Sequence, residues 1–191
     1  MPALTKEQKK RLLMLARDSI SSYLKKAEPS FAGLDFADKK QGAFVTLHKN
    51  NSLRGCIGFP EPVLALKKAI YESARAAAFS DPRFPRVLDD ELKEIDLEIS
   101  VLTVPEKIKV SSPKEYKDKI EIGKDGLIIK HPQGSGLLLP QVPVEWNWKI
   151  DEYLANICQK AGLMEDAWKD KNAELFKFQA EIFSEKEIDA L

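Results

Sequence analysis

Leu12, Leu13, Ala16, Ile20, Tyr23 and Leu24 recur at three- and four-residue spacing, with Lys9, Lys10, Arg17, Asp18 and Lys25 falling elsewhere. That spacing predicts a helix with one buried stripe. Thr5-Lys6-Glu7-Gln8 marks its start as a capping box, and Lys25, Lys26, Glu28 and Pro29 end it. A second stripe, Val63, Leu66, Ala69, Ile70, Ser73, Ala74 and Ala77, predicts a helix over about 63–79, with Pro62 in its first turn. Ser112-Pro113-Lys114-Glu115 repeats the capping box and predicts a short helix through about Lys119. From Ile150 the positions Leu154, Ile157, Cys158 and Ala161 share a face, and Gly162 stands where a helix C-cap belongs.

Elsewhere the period is two. Ile95, Leu97, Ile99 and Val101 alternate with Asp96, Glu98 and Ser100, a strand with one wet face. Residues 42–48 and 53–59 are β-prone around the turn-forming Lys49-Asn50-Asn51-Ser52, which predicts a hairpin. A second hairpin is expected to turn at Asp125-Gly126, and Leu137-Leu138-Leu139 to form a short buried strand. Residues 175–183 read as one strand with Phe176, Phe178, Ala180 and Ile182 on one side. Interspersed helices and hairpins give an α+β fold of mostly antiparallel sheets flanked by helices, with no low-complexity linker to divide residues 1–191.

A chain of 191 residues buries roughly 70% of its unfolded surface, enough for one large core or two small lobes. Thirty basic side chains balance thirty acidic ones, so no net field draws in nucleic acid or an anionic membrane, which leaves room only for a local basic patch. No apolar run nears the roughly 20 residues needed to span a bilayer, and the stretch Met1 to Glu7 lacks a signal peptide's apolar middle. The chain reads as cytoplasmic, with no membrane partner. Its two cysteines, Cys56 and Cys158, form neither CxxC nor a His/Cys cluster, so no metal or other cofactor is expected. Gly134-Ser135-Gly136 and Gly123-Lys124-Asp125-Gly126 lack GxxxxGK[ST] and read as turns.

Candidate chemistry concentrates in Leu53-Arg54-Gly55-Cys56-Ile57-Gly58. Two glycines inside a strand each cost about 0.5–1 kcal/mol against alanine, which points to a bulge or a close approach of another backbone or a ligand. Cys56 has two readings. As a nucleophile it needs a nearby cation to favour the thiolate, and Arg54 would share its face in a regular strand. As a small buried hydrophobe it needs nothing. A base would have to be His48, across the hairpin, or His131, brought in by folding. Arg54, Arg83 and Arg86 are candidates for an anion site, since the proline-framed loop 81–86 presents two guanidinium forks with little freedom to lose. The competing reading pairs Arg83 with Asp81. Trp146, Trp148 and Trp168 serve either lobe packing or base stacking.

The hexamer resembles the hallmark of the AMMECR domain family. Asp81-Pro82-Arg83-Phe84-Pro85, Leu97 to Leu102, Gly123 to Leu127, Gly136 to Val142 and Cys158 to Leu163 resemble other segments of the same family in the same order. The resemblance implies a larger and a smaller lobe of antiparallel sheet with the hexamer facing a cleft between them. It brings no settled activity; it implies RNA modification or regulation, with Memo-like and radical-SAM proteins as partners. After Trp146-Asn147-Trp148 the chain departs from the family at Lys149-Ile150, which shifts the expected helix cap to Asp151.

Two functions follow. One is an enzyme acting on a small anionic, nucleotide- or RNA-related substrate, with Cys56 and His48 as catalytic groups and Arg54, Gly55, Gly58, Arg83 and Arg86 binding the ligand. The other is a non-catalytic interaction or regulatory module that docks a protein partner on the same residues. Oligomeric state is not legible in the residues.

Overall fold

The computed structural model describes residues 3–189. Met1 and Pro2, which open the stretch read above for a signal peptide, lie outside the described residues. In chain order the elements are α1 (Lys6–Leu24), β1 (Ala43–Lys49), β2 (Ser52–Phe59), α2 (Leu66–Phe79), β3 (Ile95–Leu102), β4 (Glu106–Lys107) and α3 (Tyr116–Lys119). They continue with β5 (Gly126–His131), β6 (Gly134–Leu138), α4 (Val142–Glu145), α5 (Ile150–Lys160), β7 (Glu174–Phe178), β8 (Ala180–Ser184) and α6 (Glu185–Asp189). The fold is α+β, with two four-stranded sheets ordered β2-β1-β3-β8 and β4-β7-β5-β6. Two compact units share the chain, a larger one of residues 3–102 with 181–189 and a smaller one, Thr103–Ala180. Among the described residues no helix is long and apolar enough to cross a membrane.

In the larger unit the Thr5 capping box forms as the sequence predicts, the Thr5 hydroxyl accepting from the Gln8 amide at 3.2 Å while Gln8 accepts from Thr5 at 2.9 Å. α1 buries Leu12, Leu13, Ala16 and Ile20. Asn50 and Asn51 both have positive φ, 52° and 60°, the geometry of a two-residue hairpin turn. β1 is flanked by β2 and β3, both antiparallel. One face of this sheet carries Val45, Leu47, Leu97 and Ile99 into the core with α1 and α2. The other face carries Thr46, His48, Cys56 and Glu98.

α2 starts at Leu66, three residues later than the expected Val63. Lys40 bridges Ala65, Gln41 donates to the Leu64 carbonyl, and the Leu66 amide donates to Lys39. Residues 64–66 therefore satisfy their backbone in an extended pairing before the helix can claim it.

In the smaller unit Leu127, Ile129, Tyr153, Leu154, Ile157 and Leu175 form the core. The second hairpin does not turn at Asp125-Gly126. It turns at Pro132-Gln133, with His131 opposite Gly134. Residues 121–125 instead make a closed turn, in which the Asp125 amide donates to the Glu121 carbonyl at 2.9 Å and Gly123 takes φ +82°. The α5 start is not capped by Asp151. Glu152 accepts from the Lys149 amide at 2.8 Å, and Asp151 pairs with Lys117. The single strand expected over 175–183 is two, β7 in one sheet and β8 in the other.

Candidate functional site around the hexamer

β2 is an edge strand, so alternate N–H and C=O groups along it lack a neighbouring strand. Its glycines meet backbone. A β-carbon on Gly55 would lie 2.3 Å from the Ala77 carbonyl oxygen of α2, and one on Gly58 would lie 2.4 Å from the Ala43 carbonyl oxygen and from the Phe44 ring. Both positions are closed to any larger side chain by packing alone. The ladder pairs Leu47 with Gly55 and then His48 with Leu53. Arg54 is left unopposed in a bulge, so the regular pleat that would set it beside Cys56 is interrupted.

The open backbone of Cys56 is closed by side chains. The buried Asp81 carboxylate, 1% exposed, accepts the Cys56 N–H at 2.9 Å. Arg83 donates to Asp81 from Nε at 3.0 Å and from Nη2 at 2.7 Å, and the same Nη2 reaches the Cys56 carbonyl at 3.1 Å. Two side chains thus take the place of a fifth strand over one residue. The Arg83 guanidinium holds the Asp81 carboxyl far below the usual carboxylate range, and the amides of Cys56 and Arg83 add to this against the opposing effect of burial. Arg83 is raised in turn, first by its hydrogen bond to Asp81, against the opposing effect of its burial. Arg83 is therefore a cation held on the backbone carbonyl of Cys56.

Arg54, expected in that role, is 11% exposed and binds Glu91 with both forks, Nε to Oε1 at 2.8 Å and Nη2 to Oε2 at 2.9 Å. Its Nη1 donates to the Pro85 carbonyl at 2.9 Å. Glu91 is held low by Arg54 first and by Lys49 as well, against the opposing effect of its burial. Arg86 donates to the Tyr23 hydroxyl at 2.9 Å and lies over the Phe79 ring at 5.5 Å. The three guanidiniums expected to form one anion site thus have three separate sets of partners. The Asp81–Arg83 pair, the competing reading of that loop, is present.

Cys56 is half-buried and unbridged. Its sulfur accepts from the Thr46 hydroxyl at 3.4 Å, and Thr46 stands in register with Cys56 on one side and Glu98 on the other. His48 lies two residues along the same face of β1. Its Nε2 has no hydrogen-bond partner among the described residues and sits 3.9 Å from Glu98 Oε2. His131 belongs to the smaller unit, where its Nδ1 accepts from the Gln133 amide and Nε2 lies 3.8 Å from Asp170. Cys158 is fully buried, and burial pushes its thiol up. Trp146 stacks with Trp148 at 6.3 Å and is 69% exposed, whereas Trp168 is buried against Tyr116.

Sequence reasoning passes over Thr46, Glu91 and Glu98 as parts of this site. The hairpin register, once drawn, sets Thr46 opposite Cys56. Nothing local marks Glu91, which stands 37 residues from Arg54. Among the described residues no group of three His, Cys, Asp or Glu side chains is placed to hold a metal. The chemistry on this face is that of a thiol with a hydroxyl donor, a nearby guanidinium and a His–Glu pair one step away.

A family model described as AMMECR1 matches residues 13–183. The chain is 52% identical to the protein MJ0810 of Methanocaldococcus jannaschii over 78% of its own length and 76% of the relative's. It is 48% identical to MK0488 of Methanopyrus kandleri, covering 96% and 91%. The crystal structure of the uncharacterized protein PH0010 from Pyrococcus horikoshii superimposes with a TM-score of 0.88 at 45% identity, over 96% of this chain and 94% of that one. None of these names states an activity.

Proposed function

The chain belongs to the AMMECR1 family, and from that premise we propose that its hexamer presents Cys56 as a nucleophile toward a small anionic substrate of nucleotide or RNA-related chemistry. One observation carries this reading. The Cys56 sulfur accepts a hydroxyl hydrogen bond from Thr46 while Arg83 is fixed on the carbonyl of the same residue. A hydroxyl donor and a guanidinium thus converge on the one residue that would act as nucleophile. Arg83 is 53% exposed, and its Nη1 has no partner among the described residues, so one donor of a rigid fork is left for an anion next to the sulfur. His48, with Glu98 behind it, is the base of this proposal.

The test uses two reagents that differ in charge. Iodoacetate should alkylate Cys56 faster, relative to iodoacetamide, than it alkylates glutathione, and Arg83→Gln should remove that advantage. Equal relative rates in wild type and variant would leave the anionic preference without support.

The second reading, a docking module, is favoured by the rigidity of the clasp. Asp81 and Arg83 hold loop 81–86 against β2 through two hydrogen bonds to the Cys56 backbone, and three more tie the two side chains and the Arg83 amide together within the loop. The Memo-like and radical-SAM partners that the resemblance implies would be captured by wild type and by Cys56→Ser alike, and lost by Arg83→Ala. Capture that depends on the sulfur itself would return the choice to thiol chemistry in the cytoplasm.

A further inference from the structure

Tyr71 and Arg75 are one turn apart on α2 and so share a face. The Arg75 guanidinium is sandwiched between two rings, 4.7 Å from the centroid of Tyr23 and 5.0 Å from that of Tyr71, and it donates to the Tyr71 hydroxyl. The Tyr23 ring is itself stacked on Phe79 at 4.4 Å, and Phe31 meets the edge of Tyr71 at 5.6 Å. A guanidinium fixed in this way has already lost its rotamer freedom, which lowers the entropic cost of binding anything to its remaining donors.

Its charge is poorly neutralised. The nearest carboxylate, Glu28, is 74% exposed and its Oε1 stands 4.0 Å away, a pair worth little in water. The other Glu28 oxygen accepts from the Tyr71 hydroxyl at 2.8 Å. A second guanidinium, Arg86, sits on the same Tyr23, 5.8 Å from its centroid. Lys26, which turns the chain at the end of α1 with φ 56°, brings an ammonium with no partner among the described residues. Beside this cluster is a cavity of about 630 Å³ lined by Tyr23, Leu24, Lys26, Ala27, Glu28 and Arg75. The volume is that of a small-ligand site. Leu24 and Ala27 supply an apolar wall next to the cations.

We propose that this cavity binds a phosphomonoester with an apolar body, the phosphate on Arg75 and Lys26 and the body against Leu24 and Ala27. A planar fork recognises phosphate oxygens in pairs, and a phosphate dianion neutralises more of the cluster than a carboxylate does. The site is independent of Cys56. Glu28 opposes the ligand and selects against weakly charged anions.

Phenyl phosphate is the probe, read by the arginine side-chain Nε–Hε resonances of the intact chain. The Arg75 resonance should shift saturably with a submillimolar dissociation constant, with inorganic phosphate at least fivefold weaker and benzoate weaker still. Arg75→Gln should weaken phenyl phosphate at least tenfold and Glu28→Gln should tighten it severalfold. Arg11→Gln, elsewhere on α1 and paired with Glu7, should leave it unchanged. A shift at Arg75 that never saturates, affinity retained in Arg75→Gln, or benzoate binding as well as phenyl phosphate would each overturn the proposal. Should Arg75→Gln fail to fold, the wild-type resonance decides alone, since a ligand held elsewhere leaves it unmoved.

Discussion

Asp81 accepts the backbone N–H of Cys56 at 2.9 Å while sharing its two oxygens with Arg83, whose guanidinium returns to the Cys56 carbonyl at 3.1 Å. A sheet edge normally left to solvent or to another chain is here closed by one carboxylate and one guanidinium. The clasp stiffens the backbone on either side of Cys56 and holds a cation on its carbonyl.

Removing the carboxylate should cost stability. Asp81→Ala leaves the Cys56 N–H without its acceptor and the Arg83 guanidinium with the Cys56 carbonyl alone, and hydrogen bonds to charged groups are worth about 1.5–3 kcal/mol each. We expect a loss of about 3 kcal/mol, seen as a lower urea midpoint at unchanged slope. A loss under about 1 kcal/mol would show that water replaces the clasp without penalty.

The same pair sets a pH dependence. Asp81 is depressed in the folded state, so its contribution is fully present above the unfolded carboxyl pKa of about 4 and is lost as pH falls from there toward the folded value. The difference in thermal midpoint between wild type and Asp81→Asn should be constant from pH 7 to about 5 and narrow steadily below about 4. A constant gap down to pH 3 would contradict the assignment.

Arg54 and Arg83 should separate by readout. Arg54→Ala unpairs one side of Glu91 and should destabilise by about 2–3 kcal/mol, yet leave the alkylation rate of Cys56 within twofold. Arg83→Ala should slow that rate severalfold. If Arg54→Ala is the slower of the two, the bulge has been assigned the wrong consequence.

The glycines should behave as packing positions. Gly55→Ala drives a methyl to 2.3 Å from the Ala77 carbonyl, and relief requires α2 to move off the sheet, at a cost of about 2–3 kcal/mol. Thermal denaturation checks it. A neutral Gly55→Ala would mean that α2 sits further from β2 than 2.3 Å implies.

What the sequence discloses and what it hides divide along the range of the interactions involved. Both predicted capping boxes form because their partners are three residues apart, and the first hairpin forms because Asn50 and Asn51 tolerate positive φ. The break between β7 and β8 has no local signal. Phe176, Phe178, Ala180 and Ile182 alternate without interruption, and the strand ends at Gln179 because its neighbours change: Thr103 exchanges hydrogen bonds with Gln179 through its amide and hydroxyl. The site follows the same rule. Cys56 and its glycines stand out in the sequence, and Arg83 with Asp81 is read from a spacing of two. Arg54 misleads, since the unopposed position it occupies depends on cross-strand register, and its partner Glu91 lies 37 residues on.

The most direct measurement is native-state alkylation of the two cysteines at pH 7, followed by mass spectrometry. Cys56, half-buried beside Thr46 and Arg83, should be modified by iodoacetamide at least tenfold faster than glutathione, while Cys158, fully buried, should stay unmodified until the protein is denatured. If Cys56 also resists until denaturation, the sulfur is a packing atom and the clasp around it serves the fold alone.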